Sequence, residues 1–121
     1  MPGIFQVNEG DVPWMAYRDG KPATIDAQSD GDDAIRFKPL SLQGPDVPSL
    51  QYIEYAPHHA DPMHTHDVGE WFIVVDGDMR MGDGADEPVN GAGSAVFIPK
   101  DTPYAVHAGD QGVRYFRVVV P

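Results

Sequence analysis

The chain has 121 residues, no cysteine and a formal charge of −11 at pH 7. This length predicts a single domain with a core of its own. The absence of cysteine excludes disulfides and thiol chemistry, and the negative charge excludes nucleic acid and anionic lipid as partners. No signal-peptide pattern begins the sequence, and the longest apolar run, residues 71–75, is far shorter than the roughly 20 residues of a membrane span, so we expect a cytoplasmic protein that does not contact a membrane.

Short apolar runs bounded by glycine, proline, aspartate or asparagine recur along the chain, which contains 13 glycines and 12 prolines. No stretch of a dozen residues has the spacing of an amphipathic helix, so the pattern predicts an all-β domain, either a sandwich or a closed barrel. Residues 1–36 are expected to form an N-terminal arm or edge strands of the same domain, and residues 37–121 its barrel. Strands are predicted at 37–43, 49–56, 63–66, 70–76, 78–82, 94–98, 103–108 and 112–120.

Three polar stretches between these runs are predicted to be loops or turns. Residues 26–33 carry four aspartates and are expected to form a solvated acidic loop, because they lack the glycine and glutamate pattern of an EF-hand. Asp76 and Gly77 are expected at the tip of a hairpin between the fourth and fifth predicted strands, and residues 82–86 are expected to form a second loop.

Histidine is concentrated in one place, since four of the five histidines lie within residues 58–66. Side chains two residues apart on a strand share a face, so His64 and His66 would present two imidazoles to the same side. After a turn at residues 67–69, Glu70 opens the next strand and would return a carboxylate toward the two rings. Two neutral imidazoles and one carboxylate suit a divalent transition metal and leave coordination positions free, whereas a His-x-His pair alone also occurs as two surface histidines.

The stretch from His64 to Gly77 reads His-x-His, three residues, Glu, six residues, Gly, and it resembles the first motif of the cupin superfamily. His58 stands where that motif begins with a glycine. Gly93 and Pro99 match the second motif of the family. The chain departs from the second motif at three positions, where the family has glycine, histidine and asparagine: Asp101, Tyr104 and Ala108.

The resemblance implies a cupin-type jelly-roll barrel of two antiparallel β-sheets. It also implies that one divalent transition metal, Fe(II), Mn(II), Ni(II) or Zn(II), is held by His64, His66 and Glu70. Tyr104 replaces the last histidine of the family, and three interpretations stay open: a phenolate ligand, a catalytic hydroxyl working beside Glu70 and the metal, or a side chain that fills a site without metal. His107 is a weaker candidate for a fourth ligand, because on a regular strand it points away from the face of Tyr104.

The predicted strand at 70–76 is apolar on both faces. Even-numbered residues from Glu70 to Val74 share one face, and odd-numbered residues from Trp71 to Val75 share the other. A strand that is apolar on both faces is buried on both sides. The outer face is therefore expected to pack on the N-terminal arm or on a second subunit, and the resemblance to small cupins, which commonly pair through such a sheet, predicts a homodimer.

Candidates for binding a small-molecule substrate lie on strands around this site. Tyr52 and Glu54 alternate with Gln51, Ile53 and Tyr55, and either set is compatible with an inward orientation. Arginine binds carboxylates and enolates through paired N–H donors, which makes the arginines of the later strands candidates as well. The predicted substrate-binding residues are Tyr52, Glu54, Arg80 and Arg114, with Arg117 as a further candidate.

The predicted function is that of a small mononuclear-metal enzyme acting on an oxygen-rich organic molecule. Its chemistry would be that of a dioxygenase or that of a non-redox lyase, isomerase or cyclase. The replacement at Tyr104 keeps an alternative open, which is a module that binds a sugar or small acid without turnover and carries a degenerate metal site. A structural or storage barrel is the third interpretation.

Overall fold

The computed structural model describes residues 4–26, 33–41, 48–82 and 87–120. Within these residues the regular structure consists of β-strands and one short 3₁₀ helix, Glu9–Asp11, and there is no α-helix. The predicted all-β class is therefore confirmed. The strands are β1 Met15–Arg18, β2 Lys21–Thr24, β3 Ile35–Pro39, β4 Ser49–Tyr55, β5 Gly69–Arg80, β6 Asn90–Gly91, β7 Ala95–Ile98 and β8 His107–Val120.

All strand pairs are antiparallel, and hydrogen bonds join them in the order β2-β1-β3-β4-β8-β5-β6, with β7 also paired to β5. Strand β8 lies at the centre, because it pairs with β4 on one side and with nearly the whole of β5 on the other. Strands β1 and β2 extend the same path through the pair Met15–Phe37. The barrel and the N-terminal arm are thus joined by backbone hydrogen bonds.

The hairpin predicted at Asp76 and Gly77 is wrong, because β5 runs straight through these residues for 12 positions. The register between β5 and β8 instead shifts between Val74 and Asp76 and again between Gly77 and Met79. Gly77 has a φ of +72°, which a glycine adopts without strain. An Asp-Gly pair thus serves a bulge inside a long strand here, and the same two residues are typical of both features.

Other predicted boundaries also move. Residues 112–120 form the second half of β8, which begins at His107, so 103–108 and 112–120 are not two separate strands. Residues 63–66 form no strand, and the segment contributes a single bridge between His64 and Tyr104. The first predicted strand, 37–43, is displaced, because β3 runs from Ile35 to Pro39. Residues 27–32 of the acidic loop, 42–43 of the first predicted strand and 83–86 of the second loop lie outside the described residues.

Side chains along β5 alternate as the sequence predicts. Glu70, Phe72 and Val74 are at most 2% exposed and face the interior, whereas Trp71 and Ile73 are 41% and 40% exposed on the outer face. The interior side chains pack with those of β4 and β8 in one apolar cluster, whose members include Phe37, Ile53, Tyr55, Met79, Val113 and Tyr115.

The N-terminal arm covers one part of the outer face. Trp14 stacks on Tyr52 of β4 at a ring-centroid distance of 5.7 Å. The cations of Arg36 and Lys38 lie 4.8 and 4.6 Å from the Trp14 ring, and Lys38 also donates to the Glu9 carboxylate at 2.7 Å. Such cation–π contacts each contribute about 0.5–1 kcal/mol at exposed sites and more when desolvated, so they hold Trp14 against β3, to which Arg36 and Lys38 belong. In the described part of the chain, no helix is long and apolar enough to cross a membrane.

Candidate functional site

The inner faces of the strands line an open cavity of about 260 Å³. Its walls come from β1, β4, β5 and β8, from the segment 61–66 that precedes β5, and from Tyr104. Both aromatic rings and polar groups line it. The polar side chains are Gln51, Asp61, His64, His66 and Arg117, and the aromatic ones are Tyr17, Tyr55, Phe72, Tyr104 and Tyr115.

His64 and Tyr104 face each other as a backbone-paired couple. The N–H of each residue donates to the carbonyl of the other at 2.9 Å, and the two rings lie 4.5 Å apart. The His64 Nδ1 atom is 2.8 Å from the carbonyl oxygen of Pro62, which can only accept a hydrogen bond. The neutral imidazole therefore carries its proton on Nδ1 and leaves the Nε2 lone pair available as a ligand.

His66 stands beside His64 as the His-x-His spacing predicts, with ring centroids 5.0 Å apart and ring planes at 90°. Its carbonyl accepts a hydrogen bond from the Asp101 N–H at 2.7 Å, which anchors the segment to the loop after β7. Its Nε2 atom lies 3.9 Å from the Oε1 atom of Glu70. The two imidazoles thus line the same side of the cavity, and the Glu70 carboxylate lies buried directly behind His66.

The two glycine positions at which the chain departs from the cupin motifs share one backbone feature. His58 and Asp101 both have a φ of +62°, in the left-handed region. Glycine adopts this conformation without strain, and aspartate adopts it more readily than most other residues. Both residues therefore have a backbone conformation that suits glycine, and neither of them lines the cavity.

Glu70 is completely buried, and its charge is balanced inside the protein. The Nε–H of Arg117 donates to Oε2 of Glu70, and the Tyr104 hydroxyl donates to Oε1 at 3.1 Å. Arg117 also donates to the Gln51 amide oxygen at 3.1 Å. Because a buried carboxylate without a partner is strongly destabilising, Arg117 is the residue that makes this interior charge tolerable.

Tyr104 acts as a hydrogen-bond donor in this arrangement. Burial raises the pKa of its hydroxyl above the usual value, and the negative charge of Glu70 raises that pKa further, while Arg117 lowers it in part. The side chain is therefore protonated near neutral pH.

The structure places the predicted substrate residues outside this cavity. Tyr52 and Glu54 lie on the outer face of β4, because Gln51, Ile53 and Tyr55 take the inner positions. Tyr52 packs against Trp14, as described above, and the Glu54 carboxylate accepts hydrogen bonds from Arg36 and from Arg114, the latter at 2.5 Å.

Two further candidates lie away from the cavity as well. Arg80 donates to the Glu87 carbonyl at 3.3 Å and lines a separate surface recess with Asp78. His107 pairs with Arg80 and with Ala60 through the backbone and does not line the cavity.

The role of Arg117 was only weakly indicated by the sequence. The alternation Val113, Tyr115, Arg117 along the last predicted strand would place the arginine inward if the two apolar residues face the core. The deciding information is the register Phe72–Arg117, which brings the arginine beside β5 and Glu70.

The donor set has the chemistry of a transition-metal site, with an available imidazole nitrogen on His64, a neighbouring imidazole on His66 and the carboxylate of Glu70. The side chains are not drawn together around an ion, however. In the ranges that the structure describes, no three His, Asp or Glu side chains form a cluster that encloses a metal. The physical reason at this site is that Glu70 directs one oxygen to Arg117 and the other to Tyr104.

Residues 51–120 match the family model of the cupin domain, and this range is more than half of the 121-residue chain. The chain is a cupin. Both motifs quoted from the sequence fall within the matched range, which confirms the resemblance. No curated protein matches the chain significantly.

Several solved structures match this chain over most of its length. The polyketide cyclase RemF from Streptomyces resistomycificus is 24% identical, with a TM-score of 0.70 over 98% of this chain and 80% of its own. An RmlC-like cupin from Ralstonia eutropha is 16% identical, with a TM-score of 0.75 over 98% of this chain and 69% of its own. KdgF from a Halomonas species is 17% identical, with a TM-score of 0.64 over 76% of this chain and 84% of its own. At these identities the likeness establishes the shared barrel fold alone, as predicted.

Proposed function

We propose that this cupin is a small metal-dependent enzyme acting on an oxygen-rich organic molecule held in the barrel cavity. The observation that carries the proposal is that His64, His66 and Tyr104 line a cavity of about 260 Å³, while the buried Glu70 carboxylate lies behind them, 3.9 Å from His66 Nε2 and hydrogen-bonded to the Tyr104 hydroxyl. Groups able to bind a cation, hold a substrate oxygen and donate a proton then stand side by side, which is the composition of many catalytic pockets.

His64, His66 and Glu70 would hold one divalent transition metal, Fe(II), Mn(II), Ni(II) or Zn(II). Such an ion supplies Lewis-acid polarisation of substrate oxygens in an enzyme of this kind. Arg117 shares the Glu70 carboxylate, so it tunes how strongly this carboxylate binds a cation.

The other side chains of the wall act on the substrate. Without substrate, the Tyr104 hydroxyl donates its hydrogen bond to Glu70. With substrate bound, the same hydroxyl donates a hydrogen bond or a proton to the substrate oxygen on which negative charge develops. Arg117 and Gln51 orient a carboxylate or enolate at the cavity wall. We assign these two residues the substrate-binding role that the sequence suggested for Tyr52, Glu54, Arg80 and Arg114.

Both a dioxygenase and a non-redox lyase, isomerase or cyclase are compatible with this donor set. The match to a polyketide cyclase over 98% of the chain supports the non-redox branch. The proposed reaction class is therefore proton transfer and rearrangement of a substrate with adjacent oxygens, in a cytoplasmic enzyme.

One observation favours a second function, that of a binding module without turnover. The Glu70–Arg117 ion pair already neutralises the carboxylate, so the barrel has a balanced interior charge without a cation. A small acid or sugar would then be held by Arg117, Gln51 and Tyr104. The two functions differ in metal content, which makes metal content the deciding measurement.

The test is elemental analysis of the purified, untagged protein beside the double variant His64→Ala/His66→Ala. We expect close to one equivalent of a transition metal in the wild type and less than about one tenth of that in the double variant. The control is His58→Asn, which changes an exposed histidine outside the cavity and suits the left-handed backbone at this position. The same low metal content in all three proteins, even after reconstitution with metal, would contradict the metal-dependent enzyme and support the binding module.

A further inference from the structure

A second tyrosine–carboxylate pair lines the same cavity and has no part in the proposed metal site. The Tyr55 hydroxyl donates to Oδ2 of Asp61, and His59 Nε2 lies 3.2 Å from Oδ1 of the same carboxylate. Asp61 is a cavity-lining residue whose side chain is 21% exposed, and His59 stands behind it at 26% exposure. The cavity therefore has the Asp61 carboxylate in its own wall, beside Tyr55, whereas the Glu70 carboxylate is buried behind the histidines.

The backbone around Asp61 holds its carboxylate in place. The Asp61 N–H donates to the Val106 carbonyl at 2.9 Å, and the His59 carbonyl accepts from the Ala108 N–H at 2.9 Å. Both hydrogen bonds tie the segment to the chain that enters β8. A side chain fixed in this way has the positional definition that a proton-transfer group requires.

The two carboxylates differ in how their charge is balanced. Glu70 is paired with Arg117, whereas in the described part of the chain no lysine or arginine pairs with Asp61. Its donors are the Tyr55 hydroxyl and the His59 ring. Burial raises the pKa of Tyr55 above the usual value, and the neighbouring Tyr115 and Asp61 raise it further, so Tyr55 remains a neutral donor. Asp61 is thus a carboxylate that lines the cavity and is paired with no lysine or arginine in the described part of the chain.

A row of rings runs between the two pairs. The centroids of Tyr55 and Tyr115 are 5.9 Å apart, those of Tyr115 and Phe72 are 4.7 Å apart, and those of Phe72 and Tyr104 are 5.8 Å apart. Such a wall favours a flat, unsaturated molecule that packs against aromatic faces. Because a cavity of roughly 150 Å³ accommodates one benzene ring, a cavity of about 260 Å³ admits a molecule of about one or two rings.

We infer that Asp61 is a general base of this cavity and that its substrate is a small, flat, enolisable carbonyl compound. Asp61 Oδ takes a proton from the carbon next to the carbonyl group, the C–H bond breaks, and its electron pair forms the C=C bond of an enolate whose negative charge rests on oxygen. Return of the proton to the same or another carbon completes the exchange or isomerisation with no net oxidation. His59 and Tyr55 position the base, and Tyr104 and Arg117 face the enolate oxygen.

This inference rests on the proposed function only in placing the substrate in the same cavity. The test measures deuterium incorporation from D₂O by proton NMR with three probes of increasing size: pyruvate, phenylpyruvate and 2-tetralone. Wild-type protein is expected to accelerate exchange of at least one probe over buffer, and Asp61→Asn to lower that rate on the order of 100-fold. The control Asp110→Asn makes the same chemical change at a carboxylate that is 87% exposed, and it should retain the wild-type rate.

Two further variants separate a chemical role from a structural one. Asp61→Glu keeps a carboxylate and should exchange at least ten times faster than Asp61→Asn, although both lose the original geometry. The double variant His64→Ala/His66→Ala tells the two proposals apart. If deuterium exchange persists in this double variant but disappears in Asp61→Asn, the assignment of Asp61 is supported and the metal proposal fails. Exchange in Asp61→Asn within twofold of wild type, or no acceleration of any probe by the wild type, would overturn the assignment of Asp61.

Discussion

At the scale of single residues, the interior of this cupin is organised by Arg117. Its guanidinium pairs with a carboxylate that is completely buried, and its second hydrogen bond goes to Gln51. A metal bound at the histidine wall would compete with this guanidinium for Glu70. The side chain therefore connects the stability of the barrel to its capacity for cations.

Replacement of Arg117 tests this connection. In metal-free protein, Arg117→Gln leaves Glu70 buried without a cationic partner, so we expect the free energy of unfolding to fall by about 3–5 kcal/mol. Added Zn²⁺ or Ni²⁺ should restore part of that loss, because an ion that binds only the folded state stabilises it by mass action. Guanidinium chloride unfolding with and without metal gives both quantities.

The matched control is Arg114→Gln on the same strand. Its side chain is 45% exposed, and its partner Glu54 keeps a second arginine, Arg36, so the loss should stay below about 1 kcal/mol. A loss at Arg117 as small as that at Arg114 would mean that Glu70 does not depend on the ion pair. A loss that metal does not reduce would count against a metal at this site.

The sequence indicates part of this site because the spacing of His64, His66 and Glu70 is local. The spacing and a short turn before Glu70 are enough to predict that these three side chains lie close together, although residues 63–66 form a single bridge and no strand. The partner of Glu70 is 47 residues away, and its position depends on the register between β5 and β8. Asp61 was missed for another reason, since it lies in a segment without regular structure where no periodic pattern shows which way a side chain points.

At the scale of elements, β5 shows where composition misleads. An Asp-Gly pair between two apolar runs is a strong hairpin signal, and here it lies within one continuous strand. The partner strand determines that β5 continues through Gly77, because β8 is long enough to pair with β5 on both sides of this residue. Where the two strands meet at Gly77, β8 has a glycine of positive φ as well, Gly112. A Cβ atom at Gly77 would lie 2.1 Å from the Gly112 carbonyl oxygen.

A pair of alanine substitutions separates the close approach from the backbone conformation. Gly20 also has a positive φ, +77°, but a Cβ atom there meets nothing within 4 Å. Gly20→Ala should therefore cost only the conformational strain of about 1 kcal/mol. Gly77→Ala adds a steric clash between two strands, and we expect a loss of more than about 3 kcal/mol or failure to fold.

Thermal and denaturant unfolding of the two variants, side by side, checks this expectation. Equal and small losses would show that β5 and β8 separate easily at the bulge. The register shifts would then be a tolerated irregularity of the barrel without a structural role.

At the scale of the whole molecule, the barrel leaves an apolar strip on its outer face. The arm covers the β4 side, where Trp14 packs on Tyr52, but the β5 and β7 side remains open. The exposed members of this strip are Trp71, Ile73, Val75 and Phe97, each between 40% and 46% exposed. The sequence predicted an apolar outer face. In the structure, the arm covers one part of this face and the strip is the part that stays exposed.

We expect a second copy of the chain to cover this strip, in keeping with the homodimer predicted from the sequence. Large contiguous apolar patches are uncommon on monomers, and a paired sheet face would remove this one from water. Light scattering coupled to size exclusion should give about twice the chain mass of 13.2 kDa. Ile73→Glu should shift the mass to that of the monomer, because it buries a charge at the centre of the interface.

Val89→Glu is the control for that change. Val89 is 52% exposed and lies away from the strip, beside the recess that contains Arg80, so the dimer should persist. A wild-type protein that elutes and scatters as a monomer at micromolar concentration would remove the second copy from the proposal. The strip would then be open to solvent in the working protein.

The central position of β8 has a consequence for the order of events during synthesis. Strands β4 and β5 both precede β8 in the chain, and each makes its longest pairing with it. While residues 107–120 are still inside the ribosome, the edges of β4 and β5 that pair with β8 have no partner, and the cavity between the strands stays open. The nascent barrel therefore spends its growth with two unpaired edges and closes late, through contacts of long sequence separation that form slowly.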